Sequence, residues 1–156
     1  MKIKPIKQKD SNACGPTSIK MVTDYFNMKI SQKEINNLSK YKELDGMSNN
    51  DLVNTLKKLN LNVKHKNNVT WEELQSLNTT ENVLIVSWML KGYIGHFSVV
   101  EKVTKDAIFL ADPVEGKIIK LNKILFMRLW LDYDDMWWPE KNTDIQLRWL
   151  AVVSNT

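Results

Sequence analysis

The sequence predicts an α+β fold in which a helical first half precedes an antiparallel sheet. Before residue 80, helix entries with Ser or Thr at the N-cap position are followed by apolar residues at helical spacing. After residue 80, short apolar runs alternate with turn residues, which is typical of strands. The 156 residues are enough to bury a core without disulfides, so we expect one domain over residues 1–156.

The first predicted helix begins near Cys14, the only cysteine in the sequence. Ile19, Val22 and Phe26 have the spacing of one buried helical face, and Pro16 is tolerated in a first helical turn. Cys14 is therefore expected at the positive end of the helix dipole, which favours the nucleophilic thiolate form. A buried, inert cysteine is the common alternative, but such a residue is not usually set in a polar Gly-Pro helix entry.

Further helices in the first half are predicted to begin after Ser31, Ser48 and Thr70. Ser31 and Thr70 are each followed three residues later by Glu, which is the capping-box pattern. Residues 61–65 alternate between apolar and polar side chains and predict a short strand. Residues 1–6 are expected to form an edge strand or an extended arm.

The second half has the period of strands. Strands are predicted at residues 83–88, 95–103, 107–112, 117–121 and 147–153. The second and third of these are joined by a tight turn and form a predicted hairpin. Asn122 is expected to cap a helix through Leu131, and the acidic aromatic segment 132–139 is expected to be a loop.

His96 and Asp112 are candidates for a base and its orienting carboxylate. A thiol nucleophile needs a base that takes its proton, and the base needs a third group that fixes its tautomer. Antiparallel pairing of residues 99–103 with 107–111 returns Asp112 to the neighbourhood of His96. Taken alone, His96 is more often a core histidine and Asp-Pro a turn, but together with the thiol the set is more specific. The other histidine, His65, lies in a Lys-rich polar segment and is expected to be exposed.

Attack by the thiolate creates an oxyanion that needs hydrogen-bond donors. The Cys14 backbone N–H and the side-chain amide of Gln8 are the candidate donors. Gly15 has no side chain and is expected to leave room for a substrate carbonyl beside the sulfur.

No cofactor or metal ion is expected. One cysteine and two histidines without ligand-like spacing do not form a structural zinc site. The sequence also lacks a phosphate-binding glycine loop and a Gly-x-Ser-x-Gly elbow.

The composition argues against nucleic-acid and membrane partners. The 22 basic and 18 acidic side chains give a formal charge of +4 that is scattered along the chain. No apolar run is long enough to span a bilayer, and the N-terminus lacks the apolar core of a signal peptide. A single cysteine fits a reducing compartment, so a cytoplasmic location is expected.

Six tryptophans are many for a chain of this length, and five of them lie in the second half. Core packing is one explanation for this enrichment. An aromatic-lined cleft for an extended peptide is the other.

Short motifs occur in order along the chain: Gln8 with five residues before Cys14, Cys14-Gly-Pro-Thr-Ser, Gly95-His96-Phe97-Ser-Val-Val, and Ala111-Asp112-Pro113 with Gly116 after it. In this combination the chain resembles the papain-like cysteine peptidases of family thirty-nine, best known for cutting double-glycine leaders from bacteriocins. The resemblance implies a papain-like fold and the following roles: Cys14 as nucleophile, His96 as general base and acid, Asp112 as orienter and Gln8 as oxyanion donor.

The resemblance implies acyl transfer through a thioester and hydrolysis of a peptide or amide substrate, without a cofactor. Family members are usually fused to an exporting transporter, whereas this chain is expected to stand alone without one. Ala13 also precedes Cys14, where transporter-fused members often carry an acid. The sequence therefore predicts a stand-alone, cytoplasmic peptidase or amidase. An acyltransferase on the same fold and a non-catalytic peptide-binding module are the alternatives.

Overall fold

The protein is described by a computed structural model that covers residues 2–41, 46–133 and 138–155. Within these ranges the helices are Cys14–Tyr25 (α1), Gln32–Ser39 (α2), Asn49–Lys58 (α3), Trp71–Leu77 (α4) and Lys123–Leu129 (α5). The strands are Asn62–Lys66 (β1), Val83–Leu90 (β2), Ile94–Val103 (β3), Ala107–Asp112 (β4), Lys117–Asn122 (β5), Leu131–Tyr133 (β6), Ile145–Leu147 (β7) and Leu150–Ser154 (β8). None of the helices described is both long and apolar enough to cross a membrane.

Six strands form one antiparallel sheet in the order β1-β8-β2-β3-β4-β5, while β6 and β7 pair separately. The predicted α+β fold is therefore confirmed. The first half contributes β1 to an edge of the sheet, as the alternation of residues 61–65 predicted. The apolar run at 83–88 lies in β2, a central strand that is buried along almost its whole length.

Helices cover both faces of this sheet. On one face, α1 and α3 contribute Ile19 and Leu56 to a core that includes Val99 of β3. On the other face, α5 contributes Phe126 to a core that includes Val100. Neighbouring residues of β3 thus enter opposite cores, because side chains alternate along a strand.

Side-chain caps fix the starts of α2, α3 and α4. Ser31 accepts a hydrogen bond from the Glu34 backbone N–H, and the Glu34 carboxylate accepts one from the Ser31 N–H at 2.7 Å. Ser48 caps α3 in the same way through its hydroxyl. Thr70 caps α4 by accepting from the Glu73 N–H at 3.1 Å. The predicted helix starts are confirmed at all of these positions.

The C-terminal part of the chain differs from the prediction. α5 ends at Leu129, and Leu131, which was predicted to end this helix, begins β6. Asp132 also belongs to β6, although it begins the segment predicted to be a loop. The single strand predicted at 147–153 is two strands, because Arg148 has φ +50° and breaks the extended backbone between β7 and β8.

The N-terminal residues form an extended arm rather than an edge strand. Ile3 is 3% exposed, and its N–H donates to the Glu101 carboxylate at 2.5 Å. Further along the arm, the Gln8 N–H donates to the Pro113 carbonyl at 2.8 Å. These contacts hold the arm against β3 and the turn after β4.

Core packing accounts for three of the five tryptophans in the second half. Trp88, Trp130 and Trp149 are at most 2% exposed. Trp138 is 66% exposed, and Trp137 lies outside the described residues. The expectation of a tryptophan-lined cleft is therefore wrong for the three buried tryptophans.

Candidate active site

Cys14 is the first residue of α1, as the sequence predicts. The N-cap residue Ala13 provides no side-chain hydrogen bond to the helix, so no N-cap side chain satisfies the first-turn N–H groups. The Cys14 side chain is 9% exposed. A thiolate here lies at the positive end of the α1 dipole, which stabilises negative charge.

The β3–β4 hairpin brings His96 and Asp112 together. Val99 pairs with Ala111 as predicted, but a bulge after Val100 shifts the register, so that Val103 pairs with Ile108 and not with Ala107. This register places the end of β4 beside the start of β3. The His96 Nε2 atom lies 2.7 Å from the Asp112 Oδ2 atom, and both side chains are buried.

Cys14 also acts on the His96 imidazole, since its side chain and its charge both raise the pKa of the ring. Because Asp112 engages Nε2, the ring nitrogen available to the sulfur is Nδ1. His96 therefore links the thiol to the carboxylate, and the three residues singled out in the sequence lie together.

The electrostatics of the site favour a charged imidazole. Burial is the largest single influence on the His96 pKa and lowers it. The hydrogen bonds and charges of Asp112 and Cys14 together outweigh burial and raise the pKa of His96 from 6.5 to about 9. Burial raises the pKa of Asp112, but its hydrogen bond and charge interaction with His96, together with the Glu115 N–H and Ser98, give a net lowering.

Asp112 is held from several sides. Its Oδ1 atom accepts the Glu115 N–H at 2.9 Å, and its Oδ2 atom accepts the Ser98 hydroxyl at 3.0 Å. No role for Ser98 was predicted from the sequence. The signal was present, because Ser98 lies two residues after His96 on the same face of β3. The sequence alone does not show that Ser98 lies within hydrogen-bond distance of the Asp112 carboxylate.

Gln8 is tied to the same turn through its backbone hydrogen bond to Pro113. Its Nε2 atom donates to the Asp10 carbonyl at 2.6 Å, and its buried Oε1 atom makes no hydrogen bond. An amide nitrogen carries two hydrogens, so Nε2 keeps one beyond its bond to Asp10. A role for Gln8 in oxyanion binding requires this remaining N–H group.

The space beside Gly15 is filled from within the protein. A Cβ atom at Gly15 would lie 2.6 Å from the Met47 sulfur. The expectation that Gly15 leaves room for a substrate carbonyl is therefore wrong, because this space is occupied by Met47. A second close approach lies next to His96, where a Cβ atom at Gly95 would meet the Asp132 carboxylate at 2.9 Å.

Residues 2–141 match the model of the family described as "Peptidase C39 family". The chain belongs to this family. It is 31% identical over 119 residues to the lactococcin-G-processing and transport ATP-binding protein LagD of Lactococcus lactis subsp. lactis. That match covers 75% of the chain and 16% of LagD, so the chain spans a small part of this curated relative.

Solved structures of C39 peptidase domains share the fold. The peptidase domain of Streptococcus ComA, a bifunctional ABC transporter involved in quorum sensing, superposes with a TM-score of 0.75 at 20% identity, covering 99% of this chain and 100% of that domain. A double-glycine-motif protease from an AMS/PCAT transporter, solved with its leader peptide, gives a TM-score of 0.74 at 19% identity, covering 99% and 93%. The predicted papain-like fold is thus confirmed.

Membership of the C39 family makes this chain a papain-like cysteine peptidase, as the sequence motifs implied. Its structure offers a sulfur at a helix N-terminus, an imidazole whose pKa that cysteine raises, and a buried carboxylate on one ring nitrogen. This is the order of groups that nucleophilic acyl transfer requires.

Proposed function

We propose that this C39 peptidase cleaves peptide bonds through a thioester on Cys14, with His96 as general base and acid and Asp112 as the group that orients His96. One observation carries the proposal: the His96 Nε2 atom lies 2.7 Å from the Asp112 carboxylate, while Cys14 acts on the same imidazole and raises its pKa. The two ring nitrogens therefore serve different partners, which a base in a catalytic triad needs.

In the proposed reaction, the Cys14 sulfur attacks the scissile carbonyl carbon and His96 holds the thiol proton. The C–N bond then breaks, and His96 gives the proton to the departing amine. Water attacks the thioester with His96 as base, which releases the carboxylic acid and restores the thiol. The raised pKa of His96 supports the second step, because the imidazolium persists to about pH 9.

The proposed oxyanion donors are the Cys14 backbone N–H and the remaining Nε2–H of Gln8. The hydrogen bond from the Gln8 backbone to Pro113 supports this role, since it ties the Gln8 loop to the turn that carries Asp112. Preorganised donors of this kind are worth roughly 10²-fold to 10³-fold in kcat. Gln8→Ala is expected to lower kcat by such a factor, and Gln8→Glu, which keeps the length but loses the donor, is expected to do the same.

Peptide hydrolysis by the wild type and by Cys14→Ala tests the proposal. We expect the wild type to release new N-termini and Cys14→Ala to release none. Rapid acid quenching during turnover should trap a mass increase on Cys14 that equals the acyl half of the substrate. Hydrolysis that persists in Cys14→Ala, after purification away from other peptidases, would contradict the assignment.

A leader peptide with two glycines before the scissile bond is the proposed substrate class. Two relatives support it: one is described as a double-glycine-motif protease, and LagD as a lactococcin-G-processing protein. A Gly-Gly peptide should be cleaved at least about tenfold faster than the matched Ala-Ala peptide, since poor fit costs on this scale. Equal rates would contradict this specificity.

Hydrolysis and acyl transfer share the thioester and separate only at the last step. Product analysis in the presence of a competing amine distinguishes them. A peptidase yields mainly the carboxylic acid at low amine concentration, whereas an acyltransferase yields mainly the new amide.

We also propose that residues 1–156 form one domain that works in a reducing compartment such as the cytoplasm. The participation of β1 and β8 in one sheet supports the single domain. The need for a free thiol at Cys14 supports the compartment. Limited proteolysis of the chain and fractionation of cells that produce it test the two statements.

A further inference from the structure

A buried chain of hydrogen bonds runs behind the catalytic imidazole. It consists of Trp88, Ser98, Asp112 and His96, all of which are at most 3% exposed. The Trp88 indole Nε1–H donates to Ser98 Oγ at 3.0 Å, and the Ser98 hydroxyl donates to Asp112 Oδ2 at 3.0 Å. The same carboxylate oxygen lies 2.7 Å from His96 Nε2.

The directions of these hydrogen bonds are fixed by chemistry. An indole N–H only donates, and an ionised carboxylate only accepts. The Ser98 hydroxyl must therefore accept from Trp88 and spend its single hydrogen on Asp112. Trp88 in this way selects the rotamer of the hydroxyl that supports the carboxylate.

Trp88 also touches the other end of the buried chain. It pairs with His96 across β2 and β3, and its ring stands edge-on to the imidazole with 5.6 Å between the centroids. The His96 ring is thus confined by a direct aromatic contact and by the orientation of its carboxylate partner.

We propose that Ser98 is a positioning residue for the reaction and that Trp88 acts on the reaction through Ser98. The effects of substituting the two residues should therefore be coupled. Ser98 is fully buried and does not reach substrate; it acts by fixing the Asp112 oxygen that receives the His96 N–H. The inference rests on the proposed roles of Cys14, His96 and Asp112.

Kinetics of Ser98→Ala, Trp88→Phe and the double variant test the proposal, with kcat counted per Cys14 that iodoacetamide can titrate. Ser98→Ala should lower kcat roughly tenfold at unchanged KM, the scale on which outer hydrogen-bond partners act at metal sites. Trp88→Phe keeps an aromatic ring against His96 but removes the N–H. It should lower kcat a few-fold in the wild-type background and not at all in the Ser98→Ala background.

Trp71→Phe is the matched control. Trp71 is as buried as Trp88, and its indole N–H donates to the Thr104 carbonyl at 3.1 Å. Both indole rings pack on Phe126, at 6.4 Å for Trp71 and 6.3 Å for Trp88. Trp71→Phe loses the same atoms without touching Asp112, so it should lower the melting temperature and leave kcat unchanged.

The outcomes separate the possible roles. Independent, multiplicative effects of the two substitutions would overturn the coupling, and a wild-type kcat in Ser98→Ala would overturn the positioning role. If Ser98→Ala does not fold, Trp88→Phe decides, because an unchanged kcat in that variant contradicts the proposal. Retention of activity in Cys14→Ala would instead overturn the proposed function itself, which distinguishes the two failures.

Discussion

The two histidines lie on strands of the same sheet, yet their surroundings differ. His96 is in a central strand, 3% exposed, between a thiol and a buried carboxylate. His65 is exposed in the edge strand β1. Each has a tryptophan neighbour. The ring centroid of His96 lies 5.6 Å from that of Trp88, and the ring centroid of His65 lies 6.0 Å from that of Trp149. An aromatic contact is therefore not what distinguishes the candidate base.

Burial and charge partners make the difference. Charges interact more strongly where water is excluded, and Asp112 is fully buried beside His96. Near His65, the flanking Lys66 pairs with Glu73, and the two side chains are 57% and 33% exposed. Water and salt screen such a pair. The same residue types thus form a buried candidate site on a central strand and a solvated surface on an edge strand.

Substitution of each histidine by Gln tests the difference between them most directly. Gln at position 96 can still donate to Asp112 but cannot accept and return a proton. We expect His96→Gln to lower kcat/KM by at least about 10³-fold, as loss of a triad base does elsewhere. His65→Gln is the matched control and should leave kcat/KM unchanged. Peptide cleavage assays on both purified variants provide the measurement, and equal losses would contradict the assignment of His96.

The contrast predicts a smaller but still large effect at the carboxylate. Asp112→Asn keeps the shape but removes the charge that helps to raise the pKa of His96. We expect kcat to fall roughly 10²-fold to 10⁴-fold, because the imidazole loses its orienting partner. In the wild type, the imidazolium is lost as the pH rises through about 9, so activity should decline there. In Asp112→Asn this decline should move to lower pH, and a basic limb that stays in place would contradict the role of Asp112.

Local chemistry made part of this arrangement predictable. The caps at Ser31, Ser48 and Thr70 bond to N–H groups three residues away, so short sequence patterns suffice to locate the helix starts. The hairpin that brings His96 near Asp112 was predictable from its tight turn, but the bulge after Val100, which shifts the register by one residue, was not. These rules involve residues that are close together in the sequence, so they can be applied without the tertiary structure.

Contacts between distant segments were not predictable. No sequence pattern indicates that Met47 fills the space beside Gly15 or that Arg148 takes a left-handed backbone conformation. Alternation along β3 placed Ser98 on the face of His96, but the hydrogen bond from Trp88 depends on the pairing of β2 with β3. Such features depend on tertiary packing, which a local pattern does not encode.

Two glycines allow the stability cost of a substitution near the candidate site to be compared with the cost in a turn away from it. Gly116, in the turn after Asp112, has φ +63°, and a Cβ atom there would lie 2.7 Å from Lys7 Cβ. Gly92, in the β2–β3 turn, has φ +86° and nothing within 4 Å. Gly92→Ala should cost about 1–2 kcal/mol through backbone strain alone. Gly116→Ala should cost more and also lower kcat, because Lys7 and the neighbouring Gln8 must shift. Urea denaturation and peptide cleavage measure both, and equal costs would contradict the role of the Lys7 contact.

The smallest expected effect lies at the exposed ion pair near His65. Glu73→Gln removes the charge that faces Lys66 and leaves the Glu73 backbone N–H, which caps α4 through Thr70, in place. Because both side chains are solvated, the free energy of unfolding should fall by about 0.2–1 kcal/mol at low salt and by less at high salt. Activity should be unchanged. Urea denaturation at two salt concentrations provides the measurement. A loss that persists at high salt would contradict the description of this pair as solvent-screened.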